Sequence, residues 1–148
     1  MPTFAENRKA YKDYQILETF QAGMVLQGQE VKSIRQGGLQ LAGSYLAFQG
    51  IELYLLGSTI PPYQPKNTSA DYNPQRPRKL LLQKKELEYL LGKSKEGGLT
   101  LVPLKVYSSK AKIKLEFGLA KGKKKADKRA LLKKREAQQE IERTLKRG

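Results

Sequence analysis

The sequence contains no cysteine, no histidine and no tryptophan. Without cysteine there is no disulfide, no thiol nucleophile and no thiolate zinc site. Without histidine there is no imidazole acid–base chemistry. Long apolar runs are also missing: stretches such as Leu53–Leu56 and Leu80–Leu82 are far shorter than the roughly 20 residues of a membrane-spanning helix. Enzymes that depend on cysteine or histidine are therefore excluded, and we expect no metal or other cofactor.

A secretion signal is not evident either. Met1–Lys12 has no apolar stretch of the kind that such signals carry, so we expect a cytoplasmic protein with no membrane partner. Hydrophobic residues make up 39% of the 148 positions, which is enough for one core. The length suits a single domain with an appendage.

Positive charge is in large excess and is distributed unevenly. Against 14 Asp and Glu there are 29 Lys and Arg, giving a net charge of +15, which indicates a polyanionic partner and nucleic acid first. Residues 120–148 hold 12 basic and 4 acidic residues and no aromatic residue. We predict a folded domain over residues 1–119 and a basic tail over residues 120–148. The tail can bury little apolar surface, so we expect it to be disordered alone and helical on a partner.

Alternating apolar and polar residues predict a mainly β domain. Ile113, Leu115 and Phe117 alternate with charged residues, as in a half-buried strand. A similar pattern surrounds Pro103, which predicts an edge strand or a bulge there. Several short antiparallel strands in a small domain predict a barrel or a sandwich. The other predicted strands are Asp13–Gln21, Met24–Gln27, Tyr45–Gln49 and Ile51–Leu56, and the predicted helices are Gln29–Gln36 and Gln83–Leu91.

Basic residues form four clusters. Together with the high net charge, the clusters favour phosphate contacts over merely solvated faces. They lie at Arg8, Lys9 and Lys12, at Lys32 and Arg35, at Arg76, Arg78 and Lys79, and at Lys121–Lys125 with Lys128 and Arg129. The third cluster ends a proline-rich stretch, Pro61–Lys79. Tyrosines near these clusters either stack on RNA bases or pack in the core; they are Tyr11, Tyr14, Tyr63 and Tyr72.

Glu30 is an acidic residue beside Lys32 and Arg35. Its carboxylate either stabilises the start of a short helix or accepts hydrogen bonds from base and ribose groups of RNA. Spacing alone favours the helix interpretation. No arrangement of carboxylates indicates catalysis, although a nuclease with Glu30 as base and Arg35 as phosphate clamp stays open as an alternative.

Four motifs together resemble the family of SsrA-binding proteins, also called small protein B. They occur in the family's order and cover essentially the whole chain. The motifs are Asn7-Arg8-Lys9-Ala10, the Gly-Gln-Glu-Val-Lys-Ser of residues 28–33, the Asn-Pro-Gln-Arg-Pro-Arg-Lys-Leu-Leu-Leu of residues 73–82, and the lysine-rich segment 120–129. The chain departs from the family at Gln83, where histidine is common, and in a tail without aromatic residues.

The resemblance implies an oligonucleotide-binding (OB)-like antiparallel barrel with short flanking helices and no catalytic site. It implies an adaptor of trans-translation that binds the tRNA-like domain of transfer-messenger RNA (tmRNA) as a monomer and delivers it to stalled ribosomes. The implied tmRNA contacts are Asn7, Arg8, Lys9, Tyr11, Glu30, Lys32, Arg35, Arg76, Arg78 and Lys79.

The tail is implied to enter the empty messenger RNA channel near the decoding centre and to contact ribosomal RNA. Its implied contacts are Lys121, Lys123, Lys124, Lys125, Asp127, Lys128, Arg129, Lys133, Lys134 and Arg135. With the resemblance, an RNA-facing role of Glu30 becomes the favoured one. From the residues alone, a ribosomal protein or ribosome-assembly factor with an RNA-binding barrel and a basic extension is the alternative.

Overall fold

A computed structural model describes residues 3–67 and 69–123 of the chain. These residues form seven strands and three short helices, with one further helical turn at Pro65–Asn67. In chain order they are β1 (Thr3–Glu6), α1 (Arg8–Asp13), β2 (Tyr14–Met24), α2 (Gly28–Arg35), β3 (Tyr45–Gln49), β4 (Glu52–Leu56), β5 (Arg78–Leu81), α3 (Lys84–Ser94), β6 (Leu99–Ser109) and β7 (Lys112–Gly122). The predicted tail from Lys124 onward lies outside the described residues.

The seven strands form one antiparallel sheet in the order β1-β6-β7-β2-β5-β4-β3. β3, at one end of this order, also contacts β6 near the other end, so the sheet curls toward a barrel. The predicted fold class, a mainly β antiparallel barrel with short flanking helices, is confirmed. Pro103 lies beside a register shift in the β6–β7 ladder, as expected for a residue that cannot donate to it.

The core follows from the alternation in the sequence. In β7, Ile113, Leu115 and Phe117 are buried, whereas Lys112, Lys114 and Glu116 lie on the opposite face. Side chains from β3 and β4 complete the interior, and Phe48 and Leu53 are both fully buried. Burial of side chains of this size contributes about 1.5–3 kcal/mol each, which makes the barrel the rigid support for its surface residues.

Several predicted boundaries differ from the structure. β2 continues past the strand predicted over residues 13–21 to Met24, because Gly23 and Met24 pair with β5 and continue the ladder. The strand predicted over residues 24–27 is wrong beyond Met24, since residues 25–27 are not part of a strand. The helix predicted over residues 83–91 continues past Gly92 to Ser94. The predicted domain boundary after Leu119 falls within β7, which extends to Gly122.

Residues 120–122 belong to the last strand of the barrel. Ala120 is fully buried in a small cluster with Ala10, Tyr14 and Val102 beneath α1. The Lys123 amide donates to the Asp13 carbonyl at 3.2 Å. The ordered fold therefore reaches at least Lys123. A separate tail beyond that point stays a prediction.

β2 separates two ends of the molecule. α1 precedes this 11-residue strand and α2 follows it. The last residues of α1 meet the start of β2, whereas the first residues of α1 lie at Leu104, level with Phe20 and Gln21 of β2. The Phe4 ring of β1 lies 6.0 Å from the Arg35 guanidinium of α2. We use "α1 end" for α1 with the neighbouring residues 121–123. We use "α2 end" for α2 with the β6–β7 turn (Lys110 and Ala111) and residues 76–79.

Candidate RNA-binding surfaces

The predicted tmRNA contacts fall on both ends of the molecule. Asn7, Arg8, Lys9 and Tyr11 lie at the α1 end. The other six lie at the α2 end, namely Glu30, Lys32, Arg35, Arg76, Arg78 and Lys79. The structure therefore divides the predicted residues between two surfaces instead of gathering them into one patch.

The cations of the α1 end are open to solvent. The Arg8 side chain is 91% exposed, and its Nε lies 3.5 Å from a Glu6 carboxylate oxygen. Lys9 is also exposed, and Tyr11 is half exposed. Lys123 Nζ donates to the Tyr11 carbonyl at 3.1 Å, which places a cation near the last turn of α1, where it is favourable. These groups have the freedom to meet phosphates of an incoming strand.

Two residues at this end have structural roles. The Asn7 amide donates to the Leu104 carbonyl at 2.8 Å, and Asn7 Nδ2 donates to the Pro103 carbonyl at 2.9 Å. Asn7 thus fastens the start of α1 to β6. Tyr14, a candidate for base stacking, is buried in the cluster beneath α1, so the stacking interpretation is wrong for it.

At the α2 end, the carboxylate of Glu30 is buried and fully engaged. Glu30 is the third residue of α2, and its Oε1 accepts from the Gln27 amide at 2.8 Å, completing a capping box. The same oxygen accepts from Arg76 Nη2. Its Oε2 accepts from Arg78 Nη2 at 2.6 Å and from Arg78 Nε at 3.1 Å. Both Glu30 and Arg78 have no exposed surface.

Arg78 connects this ion pair to the proline-rich segment. Its Nη1 donates to the carbonyls of Pro74 at 3.0 Å and Ser58 at 3.2 Å. The Tyr72 hydroxyl donates to the Ile60 carbonyl at 2.7 Å and lies 3.2 Å from Glu30 Oε2. These contacts tie α2, β5 and the segment before β5 together. We call Glu30, Tyr72, Arg76 and Arg78 the buried cluster.

The hydrogen bonds keep the buried carboxylate ionised. Burial acts to raise the pKa of Glu30, but the hydrogen bonds from Gln27, Arg78 and Arg76 outweigh it and hold the pKa below its ordinary value. A buried ion pair of this kind adds little over an apolar replacement of both partners. Removing one partner, however, leaves an uncompensated charge and costs about 3–5 kcal/mol.

The expectation that Glu30 and Arg78 contact RNA directly is wrong, because neither side chain reaches the surface. The alternative from the sequence, a carboxylate that stabilises the start of a helix, is confirmed by the capping box. The cluster also orients Arg76, whose side chain is 30% exposed. The carboxylate of Glu30 therefore fixes the position of Arg76.

The remaining predicted cations of the α2 end are accessible. Lys32 is exposed, with its Nζ 5.7 Å from the centre of the Tyr63 ring. Arg35 is exposed, and its Nη2 donates to the Ala111 carbonyl at 2.9 Å. Lys79 Nζ donates to Glu52 at 2.9 Å with its side chain 40% exposed.

The structure adds Lys112 and Lys114 to this end. In the sequence they are only the polar half of an alternating strand, and no local pattern connects them to α2. The connection arises from strand register, which sets Lys114 opposite Gly23 at the end of β2, and from the Arg35–Ala111 hydrogen bond.

Residues 3–67 and 69–123 lack the features of two other protein classes. No helix in these ranges has the length and apolar character to cross a bilayer. Nor do they contain a group of three or more acidic residues able to hold a metal ion.

The model of the family described as SmpB protein matches residues 4–147. The chain belongs to the SmpB family. It is 47% identical over 149 residues to the SsrA-binding protein of Thermosipho africanus, covering 100% of this chain and 99% of that relative. It is 51% identical over 142 residues to the SsrA-binding protein of Carboxydothermus hydrogenoformans, covering 96% and 95%.

A solved SmpB structure is also similar. It is described as "tmRNA-SmpB: a journey to the center of the bacterial ribosome" and shares 50% sequence identity and a TM-score of 0.67 with this chain. The match covers 84% of this chain and 87% of the other. The chain therefore resembles SmpB proteins in both sequence and fold, as the four motifs indicated.

Proposed function

We propose that this chain is the RNA-binding adaptor of trans-translation, which binds the tRNA-like domain of tmRNA and delivers it to stalled ribosomes. The observation that carries the proposal is SmpB-family membership over residues 4–147, with relatives named as SsrA-binding proteins. The proposed protein binds and positions tmRNA without catalysing a reaction, in the cytoplasm, where ribosomes act. A ribosomal protein or assembly factor is not favoured.

The α2 end is the surface that we assign to tmRNA. Two of the exposed cations at this end are held in place: Arg76 by its ion pair with Glu30 in the buried cluster, and Arg35 by its hydrogen bond to the Ala111 carbonyl. Fixed cations suit a folded RNA partner, because phosphate contacts set the register and orientation of the complex. The proposed contacts here are Lys32, Arg35, Arg76 and Lys79.

The α1 end is the surface that we assign to ribosomal RNA together with the basic tail. Lys121 and Lys123 are exposed beside α1, at the point where the chain continues toward residues 124–148. Arg8, Lys9 and Tyr11 therefore adjoin the start of the tail, and a polyanion that receives the tail lies against them as well. In the tail, the proposed contacts are those that the family resemblance implied.

Recovery of RNA with the tagged protein tests the adaptor function. Purified tagged protein is incubated with total bacterial RNA at physiological salt, since affinities without a stated salt concentration have no meaning. Selective recovery of tmRNA over bulk transfer RNA is the expected result. Recovery of ribosomal RNA alone would favour the ribosomal-protein alternative.

Truncation after Lys123 tests the role of the tail. This position keeps every described element, whereas truncation after Leu119 cuts into β7. The shortened protein should bind tmRNA within about tenfold of the full chain, since it loses nonspecific attraction, but it should not support peptide tagging on stalled ribosomes. Tagging at the full-length rate would show that the tail has no such function.

A further inference from the structure

The last turn of α1 is completed by a residue from the other end of the described chain. α1 has only six residues, and the last carbonyl groups of a helix have no partner within the helix. Lys123 satisfies two of them. Its amide donates to the Asp13 carbonyl at 3.2 Å, and its Nζ donates to the Tyr11 carbonyl at 3.1 Å.

The two bonds of Lys123 differ in kind. The amide bond continues the pairing of β7 with β2, in which Gly122 lies opposite Tyr14. The side-chain bond lies outside this ladder and joins residues 112 positions apart, and it places a cation near the negative end of a helix. Because a single bond fixes a point but not a direction, the second bond determines how Lys123 is oriented on the barrel.

α1 itself is held against the barrel along its length. A helix of six residues is not stable alone, so its contacts with the sheet determine its position. Asn7 bonds its start to β6 through the carbonyls of Pro103 and Leu104. Ala10 packs with the buried Ala120 beneath it. A group that is bonded to the last turn of α1 therefore has a fixed position relative to the cations of this helix.

We propose that Lys123 is a positioning residue, which bonds the start of the basic tail to α1 and so sets the direction in which residues 124–148 leave the barrel. This inference rests on the proposed function. Fixing the start of the tail reduces the conformations that it loses on binding, which favours its entry into a receiving site. The family resemblance implied instead that Lys123 contacts ribosomal RNA, but its ammonium already has a carbonyl partner in the protein.

Lys121 provides a matched control. It is exposed, carries the same charge and lies two residues earlier in β7. Within the part of the chain that the structure describes, the side-chain bond to α1 comes from Lys123 and not from Lys121. Lys121→Met and Lys123→Met therefore remove the same charge, but only Lys123→Met removes the bond. Both keep the backbone ladder, so both should melt within about 3 °C of the wild type.

A distance measurement tests the position of the tail directly. The chain has no cysteine, so spin labels attach only at the introduced Ile51→Cys, in the exposed turn between β3 and β4, and Ala126→Cys, three residues after Lys123. In this labelled chain the distance should have a narrow distribution. Adding Lys123→Met should make it at least about twice as wide, whereas Lys121→Met and Lys123→Arg, which keeps a cationic donor, should leave it narrow. Equal widths in all four proteins would overturn the inference.

Peptide tagging on stalled ribosomes, at saturating tmRNA, tests the consequence. Lys123→Met should lower the tagging rate about tenfold, the scale of one lost charge-assisted hydrogen bond. Lys121→Met should lower it by less than about threefold, as for an exposed charge contact, and Lys123→Arg should retain most of the rate. Equal losses in the two Met variants would overturn the inference, because charge alone would explain them. Absence of tagging by the wild type would instead refute the proposed function, whereas the distance measurement contains no RNA and would be unaffected.

Discussion

The two ends of β2 carry similar clusters of basic residues but hold them in different ways. At the α1 end the Arg8 side chain is 91% exposed, and its Nε lies 3.5 Å from a Glu6 carboxylate oxygen. At the α2 end Arg78 is fully buried and donates to Glu30, Ser58 and Pro74. A basic cluster in the sequence therefore does not tell whether its charges bind a partner or stabilise the fold. Burial distinguishes the two cases.

Arg76 is intermediate between the exposed Arg8 and the buried Arg78. Its guanidinium donates to Glu30, while part of its side chain stays exposed. Substitutions in the buried cluster should consequently change folding and RNA binding together. Substitutions of the exposed cations at either end should change binding alone.

The largest effect is expected for Arg78→Met. The change removes the donors to Glu30 and to two carbonyls and leaves the carboxylate buried with fewer partners, which costs about 3–5 kcal/mol. For a chain of this size the melting temperature should fall by about 10 °C. Lys79→Met is the adjacent control. Its ammonium is 40% exposed and pairs with Glu52, so its effect should stay within about 1 kcal/mol.

A melting temperature of Arg78→Met close to that of Lys79→Met would contradict the structural role of the cluster. In that case Arg78 would have to be placed with the exposed cations. The difference between the two ends of the molecule would then disappear.

Shortening the chain should be the next largest effect and concerns the α1 end. A chain ending at Leu119 loses the buried Ala120 and the last rungs of the ladders to β2 and β6. At about 1 kcal/mol for each lost hydrogen bond, its free energy of unfolding should drop by about 2–3 kcal/mol. A chain ending at Lys123 keeps these contacts. Equal denaturant midpoints for the two chains would show that the end of β7 contributes nothing.

Much of the fold was predictable because its signals are local. The alternation around Leu115 predicted the half-buried strand β7, and Pro103 predicted the irregularity in the neighbouring strand β6. The burial and ion pairing of Glu30 were not predictable, because its partners Tyr72, Arg76 and Arg78 lie more than 40 positions away in the chain. Only the pairing of β5 beside β2 and β4 brings them to α2. Strand register alone also brings Leu81 and Lys114 beside Gly23, so no local pattern in the sequence could predict that these residues are neighbours.

Acid should destabilise the α2 end through Glu30. Its pKa in the folded protein lies below the ordinary 4.5, so the unfolded chain binds the extra proton first as the pH falls. The stabilisation is complete above about pH 4.5 and is lost as the pH falls through the folded pKa. Glu30→Gln should flatten this part of the stability curve and also lower the melting temperature at neutral pH. Glu52→Gln, which removes an exposed carboxylate paired with Lys79, should leave the acid response nearly intact; an equal effect of both variants would rule out the buried carboxylate as its source.

The smallest effect on stability is expected for two matched double variants of exposed cations. They are Arg8→Gln/Lys9→Gln at the α1 end and Lys32→Gln/Arg35→Gln at the α2 end. Each variant removes two positive charges from one short helix. Surface changes of this kind alter the free energy of unfolding by about 0.5 kcal/mol or less, although Arg35 also loses its bond to Ala111.

The two double variants should differ in RNA binding. Since each neutralised phosphate contributes about 0.7–0.9 to the salt slope, the α2-end variant should lower the slope of log K against log salt for tmRNA by about 1–2. The α1-end variant should leave that slope unchanged and weaken only the ribosome-bound step, measured as tagging at saturating tmRNA. Equal losses of tmRNA affinity in both variants would mean that one RNA contacts both ends.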